Sequence, residues 1–290
     1  MYPLHNLASL KISGPDALTY LQGQLSNDLN ALTSSQSLLA SCNSGQGRVQ
    51  AVLRLIARDD GILALLPRAL IDTTLTRLRK YVLRAKLSIE DVRDSMQVYW
   101  VDRADLEAKG WPIPQQLGEH LQRDQVSLLR WPDTLSERWL MLRPGPSDTQ
   151  HQGAEHDWLL ADIRAGLPQV LPETHESFVA QMLNLDVLGG ISFNKGCYTG
   201  QEIIARAHYR GAVKRRLFHL QAQGEAPAPG TRVRAQGEHA GEVVMAASTL
   251  IGCELLAVVS LAQSNSALTL ETGNAPLEML TLPYELPASA

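Results

Sequence analysis

The chain has 290 residues, 44% of them apolar and 19% charged, with a net charge of −4. That length suits two or three compact units, and the apolar share is too high for a disordered chain. No apolar run approaches the roughly 18 residues a membrane span needs, and no basic excess marks a general nucleic-acid binder. Three cysteines, Cys42, Cys197 and Cys253, are too few and too odd in number for a disulfide framework and fit a reducing compartment. Met1-Tyr2-Pro3-Leu4-His5 has neither the basic nor the apolar region of a signal peptide, so a cytoplasmic location is expected.

In chain order, a helix is predicted from Pro15, capped by Ser13, with Leu18, Leu21, Leu25, Leu29 and Leu32 as one buried stripe. Gly23 falls inside it, at a cost of about 1 kcal/mol relative to Ala. Three strands follow over 38–42, 48–57 and 62–66, separated by Gly45-Gln46-Gly47 and Asp59-Asp60-Gly61. A second helix is expected over 69–83, then strands over 86–92 and 96–102. This order is α+β, without the βαβ rhythm of a parallel sheet. From 103 to about 156 proline, glycine and charge predict irregular connections. A short helix over 157–165, closed by Gly166, precedes the motif region. Beyond Arg216 five short, evenly spaced strand candidates predict a small β-barrel or sandwich. The domain boundary is placed at 207–216, giving units 1–206 and 207–290.

The chemistry concentrates in Lys195-Gly196-Cys197-Tyr198-Thr199-Gly200-Gln201-Glu202. Ile191-Ser192-Phe193 alternates like an incoming strand, and Gly196 allows a sharp turn. Thr199 and Glu202 have the spacing of a capping box, which predicts a helix from Thr199. Cys197 would then sit ahead of a positive helix end and two residues from Lys195, both favouring thiolate over thiol. A lone cysteine is more often a small buried hydrophobe than a nucleophile; the turn, the cap and Lys195 together point to a reactive one. Cys42 and Cys253 fall in strand-like runs and share no metal-ligand spacing with Cys197, so no metal site is expected from this chain alone. His5, His120, His151, His156 and His175 read as surface or loop residues.

Arg206, His208, Arg210, Lys214, Arg215 and Arg216 form a local basic patch, read either as a solvated face or as an anion site for a polyglutamate tail, a phosphate or RNA. Tyr209 is the one aromatic within it, which gives little support to a stacking platform. Gly45-Gln46-Gly47 lacks the third glycine and the strand-to-helix context of a phosphate loop.

The eight-residue motif resembles the signature of the YgfZ family of folate-binding, iron–sulfur-related proteins. Its flanks agree: Asn184-Leu185-Asp186 and Gly189-Gly190-Ile191-Ser192-Phe193 before it, Ala205-Arg206 after it. So do Gly14-Pro15-Asp16-Ala17, the run from Leu21 to Asp28, and Arg79-Lys80-Tyr81-Val82-Leu83-Arg84. One departure is Gln46, where some members have lysine. The resemblance implies the fold of the T-protein, the aminomethyltransferase of the glycine cleavage system: subdomains in a ring around a central folate pocket, ending in a β-barrel. It implies a folate cofactor such as tetrahydrofolate, and a role in maturing or repairing iron–sulfur enzymes, including tRNA-modifying ones, with those client or assembly proteins as partners. Cys197 would carry that role, supported by Lys195, Tyr198, Gln201 and Glu202. Asn27, Asp28, Asn184, Lys195 and Arg206 are candidates for folate contacts. The alternative is a folate-dependent aminomethyl transferase relying on Asp28 or Asp186, and a third reading is a module that only senses folate or docks on RNA.

Overall fold

The computed structural model describes all residues except 136, 147–152, 210–212, 273–274 and 288–290. Two five-stranded antiparallel sheets and a closed six-stranded barrel account for its architecture. The first sheet orders its strands Leu38–Asn43, Val49–Arg58, Gly61–Pro67, Leu7–Ser13 and Ser88–Asp91. The second orders Tyr2–Pro3, Met96–Val101, Arg138–Pro144, Val126–Trp131 and His120–Arg123. The barrel runs Arg215–Ala222, Gly252–Ser260, Glu238–Thr249, Arg232–Ala235, Leu268–Leu270 and Pro276–Leu280. Closure leaves the barrel without a free edge. Among the described residues no helix is long and apolar enough to cross a membrane.

Continuous apolar runs, rather than alternation, shape the central hairpin of the first sheet. In Val49–Arg58 and Gly61–Pro67 both faces are largely buried, because the sheet is covered on each side. One continuous core joins this sheet to the barrel, packing Leu53 and Leu55 in a cluster that also holds Leu217, Met245 and Leu256.

Three expectations need correction. The long first helix is only Ala17–Gln22, and a single 3₁₀ turn, Leu29–Ala31, follows after a break. Gly23 is the cap of that helix rather than an interior residue, and Ser13 belongs to the strand Leu7–Ser13, which periodicity missed. The second correction concerns the stretch beyond 103. It contains the helix Arg103–Ala108 and three strands of the second sheet, held by buried Trp131, Arg138 and Trp139. Third, Ile191-Ser192-Phe193 is not a strand; Ser192 N donates to Ser26 O at 3.0 Å in an irregular loop. His151, expected at the surface, lies outside the described residues, and His120 is buried instead.

A buried ion pair fastens the second sheet to the helix Glu155–Arg164. Arg138 is fully buried and donates to Asp162 Oδ1 at 2.6 Å, to Pro132 O at 2.9 Å and to Trp158 O at 3.3 Å. Its guanidinium lies 4.2 Å from the Trp158 ring centroid, and Asp162 also accepts from Trp131 Nε1 at 2.9 Å. Removing the cation would strand a buried carboxylate. Arg138→Leu is therefore expected to lower stability by about 3–5 kcal/mol; a urea denaturation midpoint within error of wild type would refute this.

Candidate functional site

The motif residues form an irregular loop that leads into the helix Gln201–Tyr209. This helix starts two residues later than predicted, and the capping box does not form: Glu202 is exposed and reaches Arg206 at 3.4 Å instead. Gln201 takes the capping role in part, its Oε1 accepting from Tyr198 N at 3.3 Å.

Lys195 is not directed at the thiol. Its Nζ donates to the carbonyls of Gln22 at 2.8 Å, Leu25 at 2.8 Å and Asn27 at 2.6 Å, which uses all three ammonium hydrogens. Burial pushes this ammonium down to about 8, with the Asp28 carboxylate opposing. It also lies 5.0 Å from the ring centroid of buried Tyr198, whose phenol burial pushes up to about 12. Cys197 is thus held at the tip of a loop anchored on both sides, and it is exposed, whereas Cys42 and Cys253 are buried. Burial drives the Cys42 thiol up to about 11, away from reactivity.

Two glycines let the loop close on the first sheet. Gly47 and Gly200 adopt φ of +69° and +83°. A Cβ at Gly200 would lie 2.6 Å from Ser44 O and 2.9 Å from Gly47 Cα. The turn that failed as a phosphate loop is therefore the seat on which the motif turn rests.

The centre of the molecule holds a cavity in two chambers. One, of about 520 Å³, is lined by residues including Leu39, Arg54, Leu117, Leu167, Gly189 and Tyr284. The other, of about 490 Å³, includes Leu7, Trp158, Gln169 and Met245. A constriction of about 20 Å³ shares Leu39, Arg54 and Leu167 with the first and Leu7 and Gln169 with the second. Both chambers fall in the range of small-molecule sites, roughly 300–1,000 Å³.

None of the sequence-derived site residues lines these chambers. Asn27 and Asn184 stand one step behind the wall. Asn27 Nδ2 donates to Leu39 O at 2.7 Å and Gly189 O at 2.8 Å, both cavity residues. Asn184, fully buried at φ +55°, donates to Leu217 O at 2.9 Å and to the hydroxyl of the cavity residue Tyr284 at 3.4 Å. Asp28 accepts from Asn30 and Gln22, bonds that hold its carboxyl below the usual range. Asp186 accepts from both Nη atoms of Arg216, at 2.6 and 2.9 Å.

That last pair also takes Arg216 out of the basic patch. Arg216 is buried and faces inward, Arg206 meets Glu202, and Arg210 lies outside the described residues. Arg206 and Lys214 remain exposed, and beside Arg206 on its helix Phe193 stacks on His208 at 3.7 Å while Tyr209 meets His208 edge-on at 4.9 Å.

No family model matches the chain. It is 33% identical over 304 aligned positions to the "tRNA-modifying protein YgfZ" of Cronobacter sakazakii (strain ATCC BAA-894), covering 98% of this chain and 92% of that relative. The protein of the same name from Klebsiella pneumoniae (strain 342) is 37% identical over 230 positions, covering 75% of this chain and 70% of the relative. The chain belongs to the YgfZ family. Among solved structures, the glycine cleavage system aminomethyltransferase T from Bartonella henselae superposes with a TM-score of 0.70 over 97% of this chain and 84% of that one. At 14% identity the likeness is one of fold. The YgfZ motif is thus carried on an aminomethyltransferase-like framework of two sheets and a barrel.

Sequence reading missed Arg54, Gln169 and the Gly47–Gly200 contact. A signal for Arg54 existed, as a lone cation amid the apolar residues Val52, Leu53, Leu55 and Ile56. The glycine contact joins turns about 150 positions apart in the chain and has no local signature.

Lys195→Met would leave three carbonyls short of a donor and is expected to cost about 2–3 kcal/mol. Gly200→Ala would force the two turns apart and, with its positive φ, cost about as much. Limited proteolysis should cut both variants within the motif loop before the rest of the chain; protection equal to wild type would contradict the anchoring role.

Proposed function

We propose that this protein is a folate-binding accessory factor that supports assembly or repair of iron–sulfur enzymes linked to tRNA modification, with Cys197 as its reactive group. The observation that carries this reading is Cys197 itself, the one exposed thiol, presented on a loop that Lys195 holds rigid. Family membership supports the client class, since the relatives are named as tRNA-modifying proteins.

The central cavity supports the folate. Its wall is mainly apolar and aromatic, with Leu39, Leu117 and Leu167 in the larger chamber and Trp158 in the other. Leu117 is exposed at 60%, placing an apolar side chain where an aromatic ligand enters. A bound folate would supply one-carbon or pterin redox chemistry. The protein's own residues bind and shelter it, and Asn27 ties the cavity wall to the Lys195 loop. Cys197 does not line the cavity, so thiol and folate occupy separate places joined by this short hydrogen-bonded path. An exposed thiol can meet a partner's cluster, persulfide or thiol directly. One cysteine cannot hold a cluster alone, so the partner supplies the remaining ligands.

The transferase alternative finds less support in the geometry. Asp186 is occupied by Arg216 and Asp28 by Asn30 and Gln22, and neither borders the cavity.

Cys197→Ser should leave folate affinity and melting temperature within error of wild type while reducing the activity of a cluster-dependent tRNA-modifying enzyme in cells at least tenfold. Full cellular activity of the variant would remove the thiol from the mechanism. Folate-dependent aminomethyl transfer that survives the substitution would favour the transferase.

A further inference from the structure

The central cavity contains one cation that has no salt-bridge or hydrogen-bond partner among the described residues. Arg54, on the strand Val49–Arg58, borders the larger chamber and the constriction. Buried Leu53 and Leu55 flank it, and its guanidinium lies 5.2 Å from the Trp131 ring centroid, which steadies its plane. Among the described residues nothing accepts a hydrogen bond from this guanidinium, and its Nε is buried without a partner. The other charged groups around the cavity have salt-bridge partners: Asp162 and Asp133 share Arg138, Arg68 meets Asp94, and Arg93 meets Asp72. Gln169 Oε1, on the same constriction, is a second unpartnered polar atom.

Burial pushes the Arg54 guanidinium down to about 10, with Asp162 the only charge pulling upward, so it remains a cation at neutral pH. An unpaired cation in a low-dielectric wall opposes folding. A residue that destabilises the empty protein and faces a ligand-sized cavity fits a binding function better than a structural one. Among common ligand groups, a carboxylate matches the planar guanidinium fork in both charge and shape.

We infer that Arg54 is the anion anchor of the central cavity and pairs with a carboxylate of the bound ligand. This deepens the folate reading and rests on it: in a folate, the group concerned is a carboxylate of the glutamyl portion. Pairing gives this guanidinium the direct partner that the described residues do not supply, so the occupied state gains what the empty state lacks.

The test is a two-by-two comparison on the full chain. Isothermal titration measures 5-formyltetrahydrofolate and its uncharged diamide against wild type and Arg54→Met. Wild type is expected to bind the acid at least about tenfold more tightly than the diamide. Arg54→Met should bind both equally and weakly, and Arg54→Lys should recover part of the preference. Ligand-free Arg54→Met should melt at or above the wild-type temperature, because no hydrogen bond or salt bridge is lost and the burial of a cation is relieved. Equal wild-type affinity for acid and diamide overturns the inference, as does an undiminished preference in Arg54→Met or a ligand-free variant that melts well below wild type. Wild type that binds neither compound overturns the folate reading itself, and the assignment of Arg54 to folate with it.

Discussion

Three carbonyls converging on the Lys195 ammonium organise the functional half of this molecule. The Gln22–Asn27 segment would otherwise continue the helix that begins at Ala17, as its leucine spacing suggests. Instead the carbonyls of Gln22, Leu25 and Asn27 turn toward one cation, and the chain leaves the helix at Gly23. A half-buried ammonium needs three acceptors, and backbone carbonyls at a helix end need donors. Each side satisfies the other. The consequence extends in two directions, outward to the loop that displays Cys197 and inward through Asn27 to the cavity wall at Leu39 and Gly189.

This arrangement separates the cavity from the exposed thiol. The cavity is lined by both sheets and their loops, the segment after helix Glu155–Arg164 and Tyr284, whereas Cys197 lies at the surface where another macromolecule can reach it. An accessory factor acting on a partner's cluster requires an accessible thiol. An aminomethyl transferase requires its reactive groups beside the folate. With Asp28 and Asp186 engaged elsewhere, the shared framework of sheets and barrel suits the first task here.

Much of the fold was legible. The hairpin strands of the first sheet, the Glu155–Arg164 helix and the barrel strands follow apolar patterning and turn residues closely. Of the second sheet only the strand Met96–Val101 was legible; its later strands are held by Arg138, Trp131, Trp139 and Asp162, polar or amphipathic residues that read as loop until they are seen buried together. The first helix failed for the opposite reason: its leucine periodicity is real, but hydrogen bonds donated to its carbonyls by a residue over 160 positions away decide where it ends.

The functional site divides in the same way. The sequence by itself singled out Lys195 to Glu202 as the motif and Cys197 as its candidate reactive residue, since motif identity and glycine placement are local properties. Only the tertiary structure decided what Lys195 does, that Arg216 faces Asp186 rather than an anion in solvent, and that Arg54 stands unpaired in the cavity. The reason is physical. A side chain's identity states its charge and hydrogen-bonding capacity, but which partner answers that capacity depends on distances that only the folded chain sets.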